Sequence, residues 1–206
     1  MAFDAFPVTI QTMVMTGPRT TIYYPAVVGL SNQTVQQEIN RTIANEVQQL
    51  INQQLDPQQI SETEMTGSYE IKTNERNVLS LSLSNYAYVN FSAHGFTVIK
   101  SLTFDVQTGK VYTLQELFKP GSNYVQVLSD IIKEQLSTLD IPLLDGFNEI
   151  RPDQDYYIAD KALVIYFQLY EITPYYVGFP AFPISVFQIQ DIINEASPLG
   201  KMAVYN

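Results

Sequence analysis

The sequence contains no cysteine. Disulfides, thiolate metal sites and cysteine nucleophiles are thereby excluded. The absence does not fix a compartment, because an exported protein of a disulfide-poor bacterium and a cytosolic protein both satisfy it. Histidine is almost as scarce, with His94 the only one. A zinc site draws on several His or Cys side chains, so no metal and no cofactor are expected. Positive charge is also short: 11 Lys and Arg stand against 21 Asp and Glu, a formal charge of −10. Phosphate recognition needs clustered Lys and Arg, so nucleic acid is not an expected partner. An acidic surface suits a basic partner, which it steers, or serves solubility alone. No stretch approaches the roughly 20 apolar residues that cross a bilayer. The opening Met1-Ala2-Phe3-Asp4-Ala5-Phe6-Pro7 has neither a basic leader nor the apolar run of a signal peptide. Phosphate loops are missing too: Gly95, Gly109, Gly121, Gly146 and Gly178 are isolated turn glycines.

What remains is a chain of 206 residues that is 46% hydrophobic, 12% aromatic and 16% charged. That is enough apolar material for a sizeable core and too little charge for a disordered chain. Val8, Ile10 and Val14 suggest an opening strand, Gly17-Pro18 a turn, and Thr20–Val28 a second strand. Ser31 or Asn32 caps a helix starting near Gln33. Its stripe is Val35, Ile39, Ile43, Val47, Leu50 and Ile51; Gln37, Asn40, Arg41, Asn45, Gln48 and Gln49 fall opposite, and Leu55-Asp56-Pro57 stops it. Strands are expected over 65–72 and 78–89, joined by Asn74-Glu75-Arg76-Asn77. Alternation of Leu79, Leu81 and Leu83 with Ser80, Ser82 and Ser84 predicts one buried face and one polar face. Phe96, Val98, Leu102, Phe104 and Val106 form the next strand, with a hairpin turn at Gln107-Thr108-Gly109-Lys110 and Val111-Tyr112 as the short partner.

Thr113 and Glu116 cap a helical turn over 114–118, and Ser122 or Asn123 opens a second long helix striped by Val125, Leu128, Ile131, Ile132 and Leu136. A strand pair over 156–158 and 163–170 follows, the second apolar on both faces and therefore central. A Pro- and Tyr-rich loop over 173–183, a strand over 184–187 and a closing helix over 188–194 complete the chain. The order favours an α+β fold of two similar halves, each an antiparallel sheet with one long helix packed on it. The boundary is expected near 90–95, giving halves 1–90 and 91–206 that form one compact unit.

Chemistry-bearing residues are few. A hydrolase would have to use His94, yet no G-x-S-x-G elbow is present, and a structural or interface imidazole is the competing reading. Carboxylate pairs are the other route: Asp153 with Asp155, or Asp105 with Glu171. Asp153-Gln154-Asp155 reads equally as a turn, and Glu171, beside a nearly continuous apolar strand, calls for a buried partner. No catalytic residue is assigned. The most unusual segment is Tyr170-Glu171-Ile172-Thr173-Pro174-Tyr175-Tyr176-Val177-Gly178-Phe179-Pro180. Its Tyr170, Tyr175, Tyr176 and Phe179 offer large contact area at low entropic cost, or stack on sugar rings, or fold back as a lid. His94, Glu171 and those four aromatics form the candidate binding set.

Ser92-Ala93-His94-Gly95, then Leu102-Thr103-Phe104-Asp105 through Thr108-Gly109-Lys110 to Leu117-Phe118, resembles the C-terminal extracytoplasmic domain of RsiV-type anti-sigma factors. Pro152-Asp153-Gln154-Asp155-Tyr156-Tyr157 and Tyr170 to Tyr175 with Gly178 fit the same pattern. That domain is similar to the accessory region of PdaC-type peptidoglycan deacetylases, and the first eighty residues look like its companion domain. Ser92 stands where the family often has a second glycine. Within the resemblance, Ala93, Gly95, Asp105, Gly109, Asp153 and Asp155 are motif positions. It implies a non-enzymatic module that binds a protein, lysozyme among the family's ligands, or a cell-wall glycan; a glycan hydrolase is the third reading. It also implies an extracytoplasmic or cell-surface place, against the cytoplasmic one that a missing signal peptide suggests. The family's sigma-binding segment, membrane span and metal-binding deacetylase domain are not found in the sequence, so the resemblance does not imply a complete transmembrane anti-sigma factor.

Overall fold

A computed structural model describes residues 7–55 and 62–203. Residues 1–6, read above for a leader, and Asp56-Pro57 of the helix stop lie outside the described residues. The chain divides into two compact units between Lys110 and Val111. The division falls past 90–95 because the strand after that turn pairs with the strand before it and so continues the first sheet.

The first unit holds β1 (Thr9–Gly17), β2 (Thr20–Val28), α1 (Gln33–Gln54), β3 (Thr63–Glu75), β4 (Val78–Val89) and β5 (Phe96–Asp105), in sheet order β1-β2-β3-β4-β5. Asn32 caps α1, its Oδ1 accepting from Thr34 N and Val35 N. Of the expected stripe, Val35, Ile39, Ile43, Val47 and Leu50 are buried and Ile51 is half-buried. Arg76 and Asn77, at φ 51° and 59°, make the two-residue turn between β3 and β4, the left-handed pair that matches strand twist.

Two expectations are corrected here. The sheet is mixed, because Thr20 to Ile22 of β2 run parallel to Met65 to Gly67 of β3, with α1 as the crossover. The serine face of β4 is also not open to solvent: Ser80 and Ser82 are buried, and Ser80 Oγ lies 2.9 Å from Thr103 Oγ1 on β5. Small hydroxyls paired with one another let a covered face carry polar residues.

The short parallel pairing leaves the far end of β2 without a strand on that side. Asn40, assigned to the polar face of α1, fills the gap. Its Oδ1 accepts from Val27 N (2.7 Å) and its Nδ2 donates to Val27 O (2.9 Å). Asn74 does the same for Val8, at 2.8 Å in both directions. Each primary amide presents the donor and acceptor that a neighbouring strand would have supplied.

The second unit contains α2 (Tyr124–Thr138), β6 (Tyr156–Ala159), β7 (Ala162–Tyr166), β8 (Ala181–Ser185) and α3 (Pro198–Met202), with β7 central in an antiparallel sheet β6-β7-β8. The buried residues of α2 are Tyr124, Leu128, Ser129 and Ile132, so Val125, Ile131 and Leu136 of the expected stripe are only half-buried. Ser129 belongs inside because its Oγ donates to Val125 O and accepts from Ile150 N. The strand expected over 163–170 ends at Tyr166, since the next backbone groups enter a turn closed by a side chain. The expected strand over 184–187 is β8, three residues earlier, and the closing helix is a short 3₁₀ turn at Gln190–Ile192. The sequence reading missed α3, which Ser197 caps by accepting from Gly200 N.

Asn40→Ala removes both partners of a fully buried backbone amide. It is expected to cost about 1–3 kcal/mol in urea-induced unfolding, whereas Gln48→Ala on the exposed face is expected to stay within about 0.5 kcal/mol. Equal losses for the two would contradict the strand-substitute role.

Candidate functional site

The Tyr-rich segment grows out of the end of β7. Glu171 N donates to Gln168 O at 3.1 Å, closing a β-turn that holds Tyr170 at φ 64°. A bulky residue at positive φ is strained by roughly 1–2 kcal/mol. The turn persists because the Glu171 carboxylate locks it from outside the backbone. Its Oε2 accepts from Gln168 N at 2.7 Å, and its Oε1 accepts from Gln154 Nε2 at 3.0 Å and from Arg151. Its side chain is only 17% exposed. Glu171 therefore has the partner its neighbourhood demanded, but the partner is not another acid.

The same network orders the segment before β6. Gln154 N donates to Arg151 O, and Gln154 Nε2 also reaches Tyr166 O at 3.0 Å, pinning this turn to the end of β7. Asp155 Oδ2 accepts from Gln168 Nε2 at 2.9 Å. Asp153 is exposed and pairs with Arg151 Nε at 3.4 Å. Burial acts to lower the Arg151 pKa, but the attraction of Glu171, Asp153 and Asp155 outweighs it and holds the guanidinium above its ordinary value. Tyr124 donates its hydroxyl to Pro152 O at 2.9 Å. Burial, and then the charge of Asp153, push its phenol up.

On this frame the aromatic rings differ in exposure. Tyr175 lies tilted against Tyr170, ring centres 5.5 Å apart. Tyr170 is 48% exposed and Tyr176 79%, while Tyr175 and Phe179 are half-buried. Leu144 N donates to Ile172 O at 3.0 Å, tying the segment between α2 and β6 to the tyrosine loop. That segment carries exposed Asp140, Asp145, Glu149 and Asp153. Charge is uneven along the sequence: 12 of the 21 acidic residues but only 5 of the 11 basic ones lie from Val111 onward. The segment tied to the tyrosine loop is therefore acidic and exposed.

The other candidates lie in the first unit. His94 Nδ1 is 3.0 Å from Gly95 O. Gly95 is buried, and a Cβ there would overlap the Tyr86 ring, which explains the glycine. Ala93, beside it, is exposed in the same turn. Asp105 Oδ1 accepts from Gln107 N (2.9 Å) and Thr108 N (3.1 Å), and Gly109, at φ 78°, donates to Asp105 O: the motif closes a hairpin. His94 and Asp105 sit at opposite ends of β5, whose ten residues put them about 30 Å apart. They cannot act as a pair. Among the described residues no group of three or more His, Asp and Glu is placed to hold a metal ion, and no helix is long and apolar enough to cross a membrane.

Residues 115–186 match the family model described as a protein of unknown function, DUF3298, and residues 18–97 match that of deacetylase PdaC. The anti-sigma-V factor RsiV of Bacillus subtilis (strain 168) is 30% identical over 184 residues, which cover 82% of this chain and 63% of the relative. The peptidoglycan-N-acetylmuramic acid deacetylase PdaC of the same organism is 24% identical over 206 residues, covering 91% and 42%. The chain is thus similar to RsiV and, more weakly, to PdaC, and it carries one match to each of the two family models. This RsiV-like chain spans less than two thirds of either named relative. Its fold is that of two solved structures of the DUF3298 family. One is from Bacteroides fragilis (TM-score 0.73, 12% identity, covering 97% of this chain and 99% of that one). The other is from Pseudomonas aeruginosa (TM-score 0.71, 14% identity, covering both chains fully). The PdaC match falls within the first unit and the DUF3298 match within the second.

Arg151, Gln154 and Gln168 were not singled out in the sequence. Glu171 beside an apolar strand signalled that a partner was needed, but partners 17 and 20 residues away carry no spacing rule. Glu171→Ala leaves Gln168 N–H without its acceptor and removes one of the two acceptors of Gln154 Nε2. It is expected to cost about 2–4 kcal/mol by urea unfolding, with Glu171→Gln losing less because an oxygen remains. Tyr124 gives a pH signature. The folded state holds the phenol proton more tightly, so its contribution to stability is intact below the ordinary pKa of about 10 and declines as pH rises through that value toward the folded one. Stability measured against alkaline pH is expected to fall less steeply in Tyr124→Phe than in the parent chain.

Proposed function

We propose that this RsiV-like chain is a non-enzymatic binding module, and that its second unit recognises a basic protein through the tyrosine loop and the acidic segment tied to it. The observation that carries this reading is Tyr176: a ring 79% exposed, on the loop that follows the turn held by Glu171, in a segment tied by Leu144 N to Ile172 O to the stretch that carries exposed Asp145 and Glu149. Exposed tyrosines held rigidly lose little entropy on docking and make effective anchors. Surrounding acids speed and orient a basic partner without having to be buried. A relative named as an anti-sigma factor supports a protein partner in regulation. A lysozyme-type cell-wall hydrolase, met outside the membrane, fits both the charge and the family resemblance. The second reading, a peptidoglycan-binding accessory module, rests on the open ring faces of Tyr170 and Tyr176 and on the relative named as a peptidoglycan deacetylase.

Calorimetry of the whole chain against lysozyme and against purified peptidoglycan separates these readings. Binding to lysozyme is expected, weakened about tenfold or more by Tyr175→Ala with Tyr176→Ala and weakened further by salt. Binding to peptidoglycan alone, lost in the same double variant, favours the accessory module. Turnover of a wall glycan that disappears in His94→Ala sinks both.

A further inference from the structure

A groove of about 340 Å³ opens in the first unit where the end of α1 meets the ends of β4 and β5. Its size is at the lower end of small-molecule sites. Ala87, Val89 and Val98 give it an apolar floor, Phe96 a partly exposed aromatic wall, and Gln53, Ser92 and His94 a polar rim. Gln54 makes the groove a fixed feature. Its Nε2 donates to Phe96 O at 2.7 Å and its Oε1 accepts from Asn85 Nδ2 at 2.8 Å, so the helix end is stapled to both strands. Asn85 is buried at 1% exposure.

Next in the chain to the rim residue Ser92 comes the most exposed apolar ring among the described residues. Phe91 is 99% exposed. It occupies the third position of the turn closed by Ser92 N to Val89 O, at φ 68°. This is the backbone geometry of Tyr170, repeated in the other unit. A bulky residue in a left-handed turn whose ring faces only water combines two unfavourable terms, and such outliers gather where a ligand is held.

We propose that this groove is a second binding site, for a neutral carbohydrate. Charge decides against most alternatives. From Asn77 to Ile99, and from Val47 to Leu55, there is no Asp, Glu, Lys or Arg. No residue lining the groove is Asp, Glu, Lys or Arg, and Arg19, which donates to Asn90 Oδ1, is already paired with Glu64, so a charged ligand would be desolvated without an uncommitted counter-charge. A peptide added as a strand would need a free backbone edge, yet the carbonyl of Phe96 in the groove wall is already taken by Gln54. A sugar fits what remains. Its hydroxyls exchange hydrogen bonds with the amide, hydroxyl and imidazole of the rim, and its apolar face lies against Phe91 or Phe96. The site is independent of the tyrosine loop, so it stands or falls separately from protein recognition.

The test is an NMR titration of the whole chain with a neutral N-acetylglucosamine tetramer, with cellotetraose and with a neutral tetrapeptide. Phe91→Ala and Gln53→Ala serve as variants, because both side chains are exposed and unfolding curves will show the fold retained. At least one sugar is expected to shift amides within 53–54 and 87–98. Either variant is expected to weaken its binding about five- to tenfold, the loss of one ring face or hydrogen bond, while Tyr176→Ala leaves it unchanged. No shift from either sugar at roughly 10 mM, shifts confined to 168–179, or tighter binding of the tetrapeptide in the groove overturns the proposal.

Discussion

The carboxylate of Glu171 joins three pieces of the second unit that sequence order keeps apart: the end of β7, the turn before β6 and the loop that bears the tyrosines. It takes hydrogen bonds from a backbone amide, a side-chain amide and a guanidinium, the partners that a carboxylate at 17% exposure requires. Tyr170 depends on it most directly. Its left-handed backbone is held by the turn whose fourth residue is Glu171 itself. The aromatic loop is therefore preorganised by an ionic network, and loss of the network would release the strain before any partner arrives.

The same economy of means recurs in neutral form. Asn40 and Asn74 in the first unit and Gln154 in the second satisfy backbone groups that the sheets leave open. This explains why a chain with so few charges carries so many amides on otherwise ordinary helices and turns. It also explains how a five-stranded sheet tolerates a parallel contact of only three register pairs in its middle: where β2 and β3 diverge, a side chain takes over the pairing.

Much of the fold was legible because hydrophobic spacing and turn chemistry agreed. Thr20–Val28, Val78–Val89 and the buried stripe of α1 follow from alternation, from the Arg76-Asn77 turn and from the Asn32 cap. What the spacing could not show were long-range substitutions of one partner for another. The serine face of β4 looks polar, yet Ser80 and Ser82 are buried and Ser80 pairs with Thr103 on the next strand, and Asn40 looks like a solvent residue until β2 lacks a neighbour. At the candidate site the sequence marked Glu171 and the tyrosines by their setting, but gave no reason to choose Arg151, Gln154 and Gln168. Phe91 carries no spacing or motif signal, and only its backbone angle and exposure set it apart.

The central claim is that a tyrosine face fixed by Glu171 is the surface on which a basic protein lands. Amide hydrogen exchange of the chain, free and saturated with lysozyme, tests it at the level of residues. The account predicts slowed exchange across 140–149 and 168–179 and no change across 86–98. Protection elsewhere, with 168–179 exchanging as in the free chain, would contradict it.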